Sequence, residues 1–412
     1  MPVLKSNRRD FLHTGGIATA SLSVPALAAQ TAQRGGMPKL KITAVKAYLL
    51  RHKLSRPMGV SVSVPLDKVR QALVVKIETD AGLSGWGETA PIAGVKATVE
   101  GHLAQLLIGQ NPLEHRRLWR QMWGANFGNA MAVGAVDMAL NDVRGKALNL
   151  PVAELYGGRV RDRVPAYASA MNYVEGLEPE EQFPKEAAEM VKRGFKAIKM
   201  RIGRYPVARE AKVAAAVRAA VGPDIRLMAD GNAAYTMGAA LEMGHELHKL
   251  GFANFEEPLP QSPKYAAYEE LRKKLPLPLA AGEGVDSRAS GKELIDRRAM
   301  DIIQPDVSLC GGISEALFIA ETAALSGIGC LPHCWGSDIV IAATVHLLAL
   351  LPDPHPGFAT DTPMLEYDQA ENPWRDGLAK GSFPLQDGQV MVPTKPGLGI
   401  TVDEEMVRKY AV

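Results

Sequence analysis

From Lys41 the chain alternates apolar and polar positions through LKITAVKAYLL, and ALVVKIETDAGLSGWGE carries the same alternation on both sides of Asp80-Ala81-Gly82. A two-residue period sets successive side chains on opposite faces, so these stretches predict strands joined by a turn. Between them, His52 to Leu66 is polar, contains Pro and Gly, and is long for a hairpin connection; a loop of this kind is expected to act as a lid. The next hundred residues, through AVDMALNDVRGKALNLPVAELYGG, shift to a 3.6-residue period and stop at Gly157-Gly158. Strands followed by helices predict an α+β unit over residues 37–163.

From Val164 strand-like and helix-like runs take turns: VPAYASA then EEQFPKEAAEMVKRG, FKAIKMRI then VAREAKVAAAVRAAVG, IRLMAD then MGAALEMGHELHKLG. GFANFE, LPLAAGE, DIIQPD and GIGCLPH continue the series. Such alternation predicts parallel strands with right-handed helical crossovers. About seven or eight units fit, enough to close a barrel, so the fold class is α/β, with a modified (β/α) TIM-type barrel over 164–369. The tail, 370–412, is expected to return to the first unit.

The apolar runs end on acids in a regular way. Asp230 closes IRLMAD, Glu256 closes GFANFE, Glu283 closes LPLAAGE, Asp306 closes DIIQPD, and His333 closes GIGCLPH, at steps of 26, 27, 23 and 27 residues. Those steps match one strand, one helix and two loops of a barrel whose strands all point their C-terminal ends at one mouth. Three carboxylates in that phase form a hard, all-oxygen ligand set that suits Mg²⁺, or Mn²⁺, better than zinc. His333 is then a candidate general base and Asp306 the residue that fixes its tautomer. Lys199 and Arg201, two apart on one predicted strand, share a face and are expected to hold an anionic substrate. The remaining histidines carry less. His245 and His248 lie on an amphipathic segment, His102, His115, His346 and His355 have no acidic partner in phase, His13 is in the leader, and His52 borders the lid.

Composition changes the picture only at the N-terminus. The formal net charge is +2, of which Lys5, Arg8, Arg9 and Arg34 against Asp10 supply three positive charges, so nothing favours nucleic acid or a membrane surface. Cys310, Cys330 and Cys334 make no disulfide framework and read as buried small hydrophobes. Arg8-Arg9, a weakly apolar stretch from Thr14 to Val24 and the small residues Ala26-Leu27-Ala28 resemble a twin-arginine export signal over residues 1–36. The expected location is therefore periplasmic, or cytoplasmic if translation starts at Met37. No apolar run reaches the roughly 18 residues of a membrane span, so no membrane anchor is expected.

A metal-bound carboxylate beside a base suits removal of a proton from the carbon next to a carboxylate, a carbon too weakly acidic for histidine alone. At this point the chain resembles the enolase superfamily, and within it the mandelate racemase subgroup, from about Lys39 to the C-terminus. The motifs are the AVDMALNDVRGKALNLPVAELYGG helix, the Lys-Met-Arg strand, Asp230-Gly231-Asn232, Glu256-Glu257-Pro258, Gly282-Glu283 and Gln304-Pro305-Asp306. Pro332-His333-Cys334-Trp335-Gly336, Glu366, Glu371-Asn372-Pro373 and PGLGI follow in order. The resemblance implies an α+β capping domain over the barrel, completed by the C-terminal tail. It implies Mg²⁺ on Asp230, Glu256 and Glu283, an Asp306–His333 base dyad, Glu366 against the substrate carboxylate from the side away from the metal, and Asn232 beside the metal site.

One departure bears on the reaction. Where the subgroup usually has Lys-x-Lys, this chain has Lys199-Met200-Arg201, and a guanidinium is a poor proton acceptor. Racemisation needs a base on each face of the carbanion, whereas dehydration needs one. The expected activity is a hydro-lyase that removes the α-proton of a sugar acid and eliminates the 3-hydroxyl, giving a 2-keto-3-deoxy acid. The alternatives are cycloisomerisation of a sugar-acid lactone or anhydro-sugar acid, racemisation or epimerisation, and a metal-retaining periplasmic binding protein. The expected partners are a small carboxylate substrate and further copies of the chain as a homo-oligomer, with no nucleic acid.

Overall fold

The computed structural model describes residues 38–92, 94–125, 129–261, 265–353, 362–380 and 383–412. The segment expected to be an export leader, with His13, lies outside the described residues, as does His355.

The alternating N-terminal segments form β1 (Ile42–Gly59), β2 (Asp67–Thr79) and β3 (Ser84–Thr89), an antiparallel meander in the order β3-β2-β1. The expected long loop is a correction: β1 runs on to Gly59, so His52 to Gly59 is strand and the connection shrinks to Val60–Leu66. The strand is held out there from both sides, with Met58 facing Asp67 of β2 and Met58-Gly59 pairing with β5 (Tyr173–Val174). The helix Ala130–Leu148 packs across β3, and two glycines make that possible. A Cβ on Gly85 or Gly87 would sit 2.2 Å from Ala139 O or 1.9 Å from Ala135 O, so only glycine lets sheet and helix backbones approach this closely.

The barrel strands follow in sequence order: β4 (Arg163–Ser169), β6 (Ala197–Arg201), β7 (Arg226–Asp230), β8 (Phe255–Glu256), β9 (Leu279–Ala281), β10 (Ile302–Ile303), β11 (Gly329–Cys330) and β12 (Leu365–Asp368). Each pairs in parallel with its predecessor up to β11, and β12 returns to pair with β4, as closure of a (β/α) barrel demands. Among the described residues no ladder joins β11 to β12. A helix follows every strand from β6 to β11, and the helix Pro179–Lys192 precedes β6.

Two interior layers explain where the site sits. Tyr167, Ala197, Met228, Ala280, Ile302, Leu331 and Met364 pack on one another inside the sheet, with Asn254 buried at the corresponding position before β8. Two residues further along in each unit come Ser169, Lys199, Asp230, Glu256 and Glu366 on their strands, and Gly282, Gln304 and His333 just past the ends of theirs. The polar ring is thus the next storey of the apolar one, at the C-terminal end of the sheet. The tail runs back to the capping sheet: Ala411 bridges Leu50, Val412 N donates to Leu49 O, and Asp142 accepts from Trp86 N and Leu398 N at 3.0 and 2.8 Å.

Candidate active site

Lys199, at the middle of β6, is fully buried and faces three carboxylates: Glu256 Oε1 at 2.6 Å, Glu366 Oε1 at 2.8 Å and Asp230 Oδ2 at 3.4 Å. Arg201 ion-pairs with Asp230, reaches Ser169 Oγ at 3.2 Å and Asn232 Oδ1 at 3.4 Å, and lies 4.0 Å from Glu366. Burial alone would lower both cations, but the surrounding carboxylates outweigh it and hold them above their ordinary values. Glu366 shows the converse: burial pushes it up, yet Lys199, His333 and Arg201 together hold it below the usual carboxylate range.

His333 and Asp306 come together as the spacing predicts. His333 Nδ1 is 2.6 Å from Asp306 Oδ2, while the other oxygen, Oδ1, accepts from Ser308 N and Ser308 Oγ, each at 2.6 Å. His333 Nε2 lies 3.4 Å from Glu283 Oε2. Burial lowers the imidazole, but Glu283 and Asp306 together push it up to about 10. Glu283, Asp306 and His333 all stand past the ends of their short ladders, in the loops above the sheet rather than on strand ends.

The three proposed metal ligands share this mouth, but they are not drawn around one point. Among the described residues no three His, Cys, Asp or Glu side chains are gathered closely enough to hold an ion. The reason lies in the partners: Lys199 stands between Asp230 and Glu256, and Glu283 turns to His333. The donor chemistry nevertheless fits a hard divalent cation. Five carboxylates (Asp230, Glu256, Glu283, Asp306 and Glu366) share the mouth with Lys199 and Arg201, leaving a surplus of two to three negative charges depending on His333. Asp230 is among the groups pushing both Glu256 and Glu283 upward, after burial. A surplus this dense in a buried site calls for a counter-charge.

The backbone beneath is also unusual. Asn232, Ala233 and Glu257 have φ of 39°, 60° and 36°, a region non-glycine residues rarely occupy except where the surroundings over-determine it. The capping domain fastens to this spot: Val62 N donates to Gly203 O, Ser61 Oγ to Asn232 O at 3.3 Å and Ser63 Oγ to Ala233 O at 3.0 Å. A cavity of about 330 Å³ lies beneath, lined by Val60, Val64, Arg70, Glu88 and Trp374 above and by Arg201, Asn232, Glu283, Asp306, His333 and Trp335 below.

Periodicity missed several members. Gln304 donates to Glu256 Oε2 at 2.9 Å, and its phase with Ile302 and Asp306 could have revealed it. Ser308, which grips Asp306, carries the Asp-x-Ser signature of a local turn. Arg70, ion-paired to Asp368 at 2.7 Å and set 4.5 Å over the Trp335 ring, comes from the capping sheet and had no local signal. His115 does have an acidic partner, Asp137 Oδ1 at 2.6 Å, on the facing helix and therefore out of strand phase. His52 pairs with Glu371 at 2.8 Å, away from the mouth. Cys310 and Cys334 are buried, Cys330 is half-buried, and all three are free thiols.

Comparison with known families agrees with this architecture. Residues 44–157 match the mandelate racemase / muconate lactonizing enzyme N-terminal domain, and residues 182–406 match the enolase C-terminal domain-like model. The chain is 35% identical over 378 residues to a D-galactarolactone cycloisomerase of Agrobacterium fabrum, covering 90% of this chain and 99% of that one. It is 33% identical to an arabinonate dehydratase of Saccharolobus solfataricus, over 82% and 90% of the two chains. Among solved structures, the 3,6-anhydro-D-galactonate cycloisomerase of Zobellia galactanivorans superposes with a TM-score of 0.80 at 34% identity, over 90% and 99% of the chains.

Proposed function

The chain belongs to the mandelate racemase-like branch of the enolase superfamily, and from that premise we propose that it is a sugar-acid lyase working through one base. Its relatives include dehydratases, cycloisomerases and an N-succinyl-L-Arg/Lys racemase, so the chain is an enzyme of this superfamily. His333 takes the proton from C2 of the bound acid, with Asp306 holding the ring so that Nε2 carries the free lone pair. The C2–H electron pair moves into the carboxylate as an enediolate. It then returns to break the C3–O bond, His333 gives its proton to the departing oxygen, and the enol becomes a 2-keto-3-deoxy acid.

Asp230, Glu256 and Glu283 would hold Mg²⁺, which members of this branch typically use. When bound, the ion supplies Lewis-acid stabilisation of the developing enediolate charge. Lys199 and Arg201 are electrostatic partners of the substrate carboxylate, and Glu366, beside Lys199, is the hydrogen-bonding group opposite the metal ligands. Asn232 contributes a polar wall.

The observation that carries this reading is Arg201. It occupies the position of a second base, yet its guanidinium is ion-paired to Asp230 and buried among carboxylates that keep it protonated. With no base on that face, elimination is favoured over racemisation. A second reading keeps the chemistry and changes the leaving oxygen from a hydroxyl to a ring oxygen. The two cycloisomerase relatives support it.

A panel of aldonates, aldarates and their lactones, incubated with the protein and Mg²⁺, separates these by product mass. Loss of water supports dehydration, and an isomer of unchanged composition supports cycloisomerisation. No conversion of any acid, with tight binding retained, would leave a binding protein instead. Export by the twin-arginine route rests on the leader; cell fractionation that finds the protein only in the cytoplasm would sink it.

A further inference from the structure

A second cavity, of about 700 Å³, opens beside the helices His115–Ala125, Arg288–Arg297 and Ile313–Leu325. It shares no lining residue with the cavity at the barrel mouth. Its floor is a linked polar cluster. His115, 6% exposed, bonds through Nε2 to Asp137 Oδ1 at 2.6 Å and makes no hydrogen bond through Nδ1 among the described residues. Asp137 Oδ2 accepts from Ile313 N at 2.9 Å and from Asn141 Nδ2 at 3.1 Å. Asn141 Oδ1 in turn accepts from Arg144 at 2.5 Å and from the Tyr156 hydroxyl at 3.2 Å. One wall is the stacked pair Trp119 and Trp123, with ring centroids 5.1 Å apart and planes 11° from parallel.

The charge around this space is unbalanced. Arg116, Arg120, Arg144 and Arg288 line it, against the carboxylates Glu315 and Glu321. Arg288 is tied to Glu315, with Nε 2.8 Å from Oε1. Arg116, Arg120 and Arg144 have no carboxylate within ion-pair distance among the described residues, and Arg144 donates to the neutral amide oxygen of Asn141. A single unpaired surface arginine is unremarkable, because water solvates it. Three guanidiniums on one concave wall present a fixed fork geometry suited to phosphate or carboxylate oxygens. A stacked indole pair beside them offers a flat apolar face on which a ring can lie.

We propose that this cavity is a binding site for an aromatic anion: a flat ring carrying phosphate or carboxylate groups, its charge on Arg116, Arg120 and Arg144 and its ring against Trp119 and Trp123. The reading does not depend on the reaction at the barrel mouth. Nothing in it uses Lys199, His333 or their neighbours.

Calorimetric titration of the full chain at low ionic strength tests it, with AMP, benzene-1,3,5-tricarboxylate and inorganic phosphate as probes. At least one ring-bearing probe should bind saturably, about tenfold or more tighter than phosphate alone. AMP as the tighter probe points to a phosphorylated ring, and the tricarboxylate to an aromatic acid. In the double variant Arg116→Gln, Arg120→Gln that affinity should fall about tenfold or more, with turnover and unfolding midpoint unchanged. Absence of saturable binding by either ring-bearing probe up to about 5 mM overturns the proposal. So does binding that the double variant leaves intact, or concentration-dependent protection of Trp119 and Trp123 showing that a second copy of the chain covers them.

Discussion

Replacing Asp306 with Asn isolates the part of the site on which the chemistry turns. Asp306 is 1% exposed, and its Oδ2 lies 2.6 Å from His333 Nδ1. The replacement has almost no freedom, because Ser308 N and Oγ both donate to Oδ1 at 2.6 Å and demand an acceptor there. The Asn carbonyl must take that side, which aims its NH₂ at His333 Nδ1. Nδ1 then has to accept, the ring proton moves to Nε2, and the lone pair that should take the substrate proton is gone. A buried charge-assisted hydrogen bond is worth about 1.5–3 kcal/mol. At about 1.4 kcal/mol per decade, kcat should fall roughly 10- to 150-fold, toward the upper end because the tautomer is also wrong. Steady-state kinetics with the acid identified from the panel is the assay, and KM should stay within about threefold because Asp306 is not a substrate ligand. A kcat within threefold of wild type, or a loss carried wholly by KM, would refute the assignment.

Lys199→Met should destabilise the metal-free protein by about 3–5 kcal/mol in urea unfolding, because it strands Glu256, Glu366 and Asp230 without their shared cation; unchanged stability would contradict the charge count. Glu88→Gln addresses a carboxyl that burial pushes up to about 7 despite donors from Ser337 and Val340. With its folded value above the unfolded one of 4.5, the native state holds the extra proton between those values, so stability falls as pH rises through that window. The variant should lose up to about 3 kcal/mol of that pH dependence, and parallel stability–pH curves for the two proteins would rule the account out. Adding Mg²⁺ should lower the His333 value from about 10, because a cation on Glu283 removes the carboxylate that most raises it. Histidine NMR titration with and without Mg²⁺ reads this directly, and an unmoved His333 resonance would argue against Glu283 as a ligand.

The parts of the site visible in the sequence are those that obey strand phase. Lys199, Asp230 and Glu256 sit two residues beyond an apolar or buried interior position, His333 keeps the same step just past β11, and a period of two survives in any reading of the chain, whereas Glu366 was legible only through the family resemblance. The parts that stayed hidden depend on contacts between distant segments. Asp137 meets His115 across two packed helices, and Arg70 meets Asp368 across the two domains. The length of β1 was illegible for the same reason. Its outer half is polar and looks like a loop, but it is paired with β2 and β5, and backbone pairing is indifferent to side-chain polarity. The ring of carboxylates was legible as residues and not as a geometry, because the ammonium of Lys199 and the guanidinium of Arg201 share the space that the spacing assigns to an ion.

The claim underlying all of this is that His333 removes the C2 proton on one face and that no group returns a proton on the other. Conversion in deuterated buffer with Mg²⁺, followed by NMR of both product and unreacted acid, measures it, with His333→Asn run in parallel. Wild type should give a 2-keto-3-deoxy acid with no C2 epimer of the substrate, while the variant should give neither the keto acid nor the epimer. A C2-deuterated epimer in the recovered acid, or continued conversion by the variant, would contradict it.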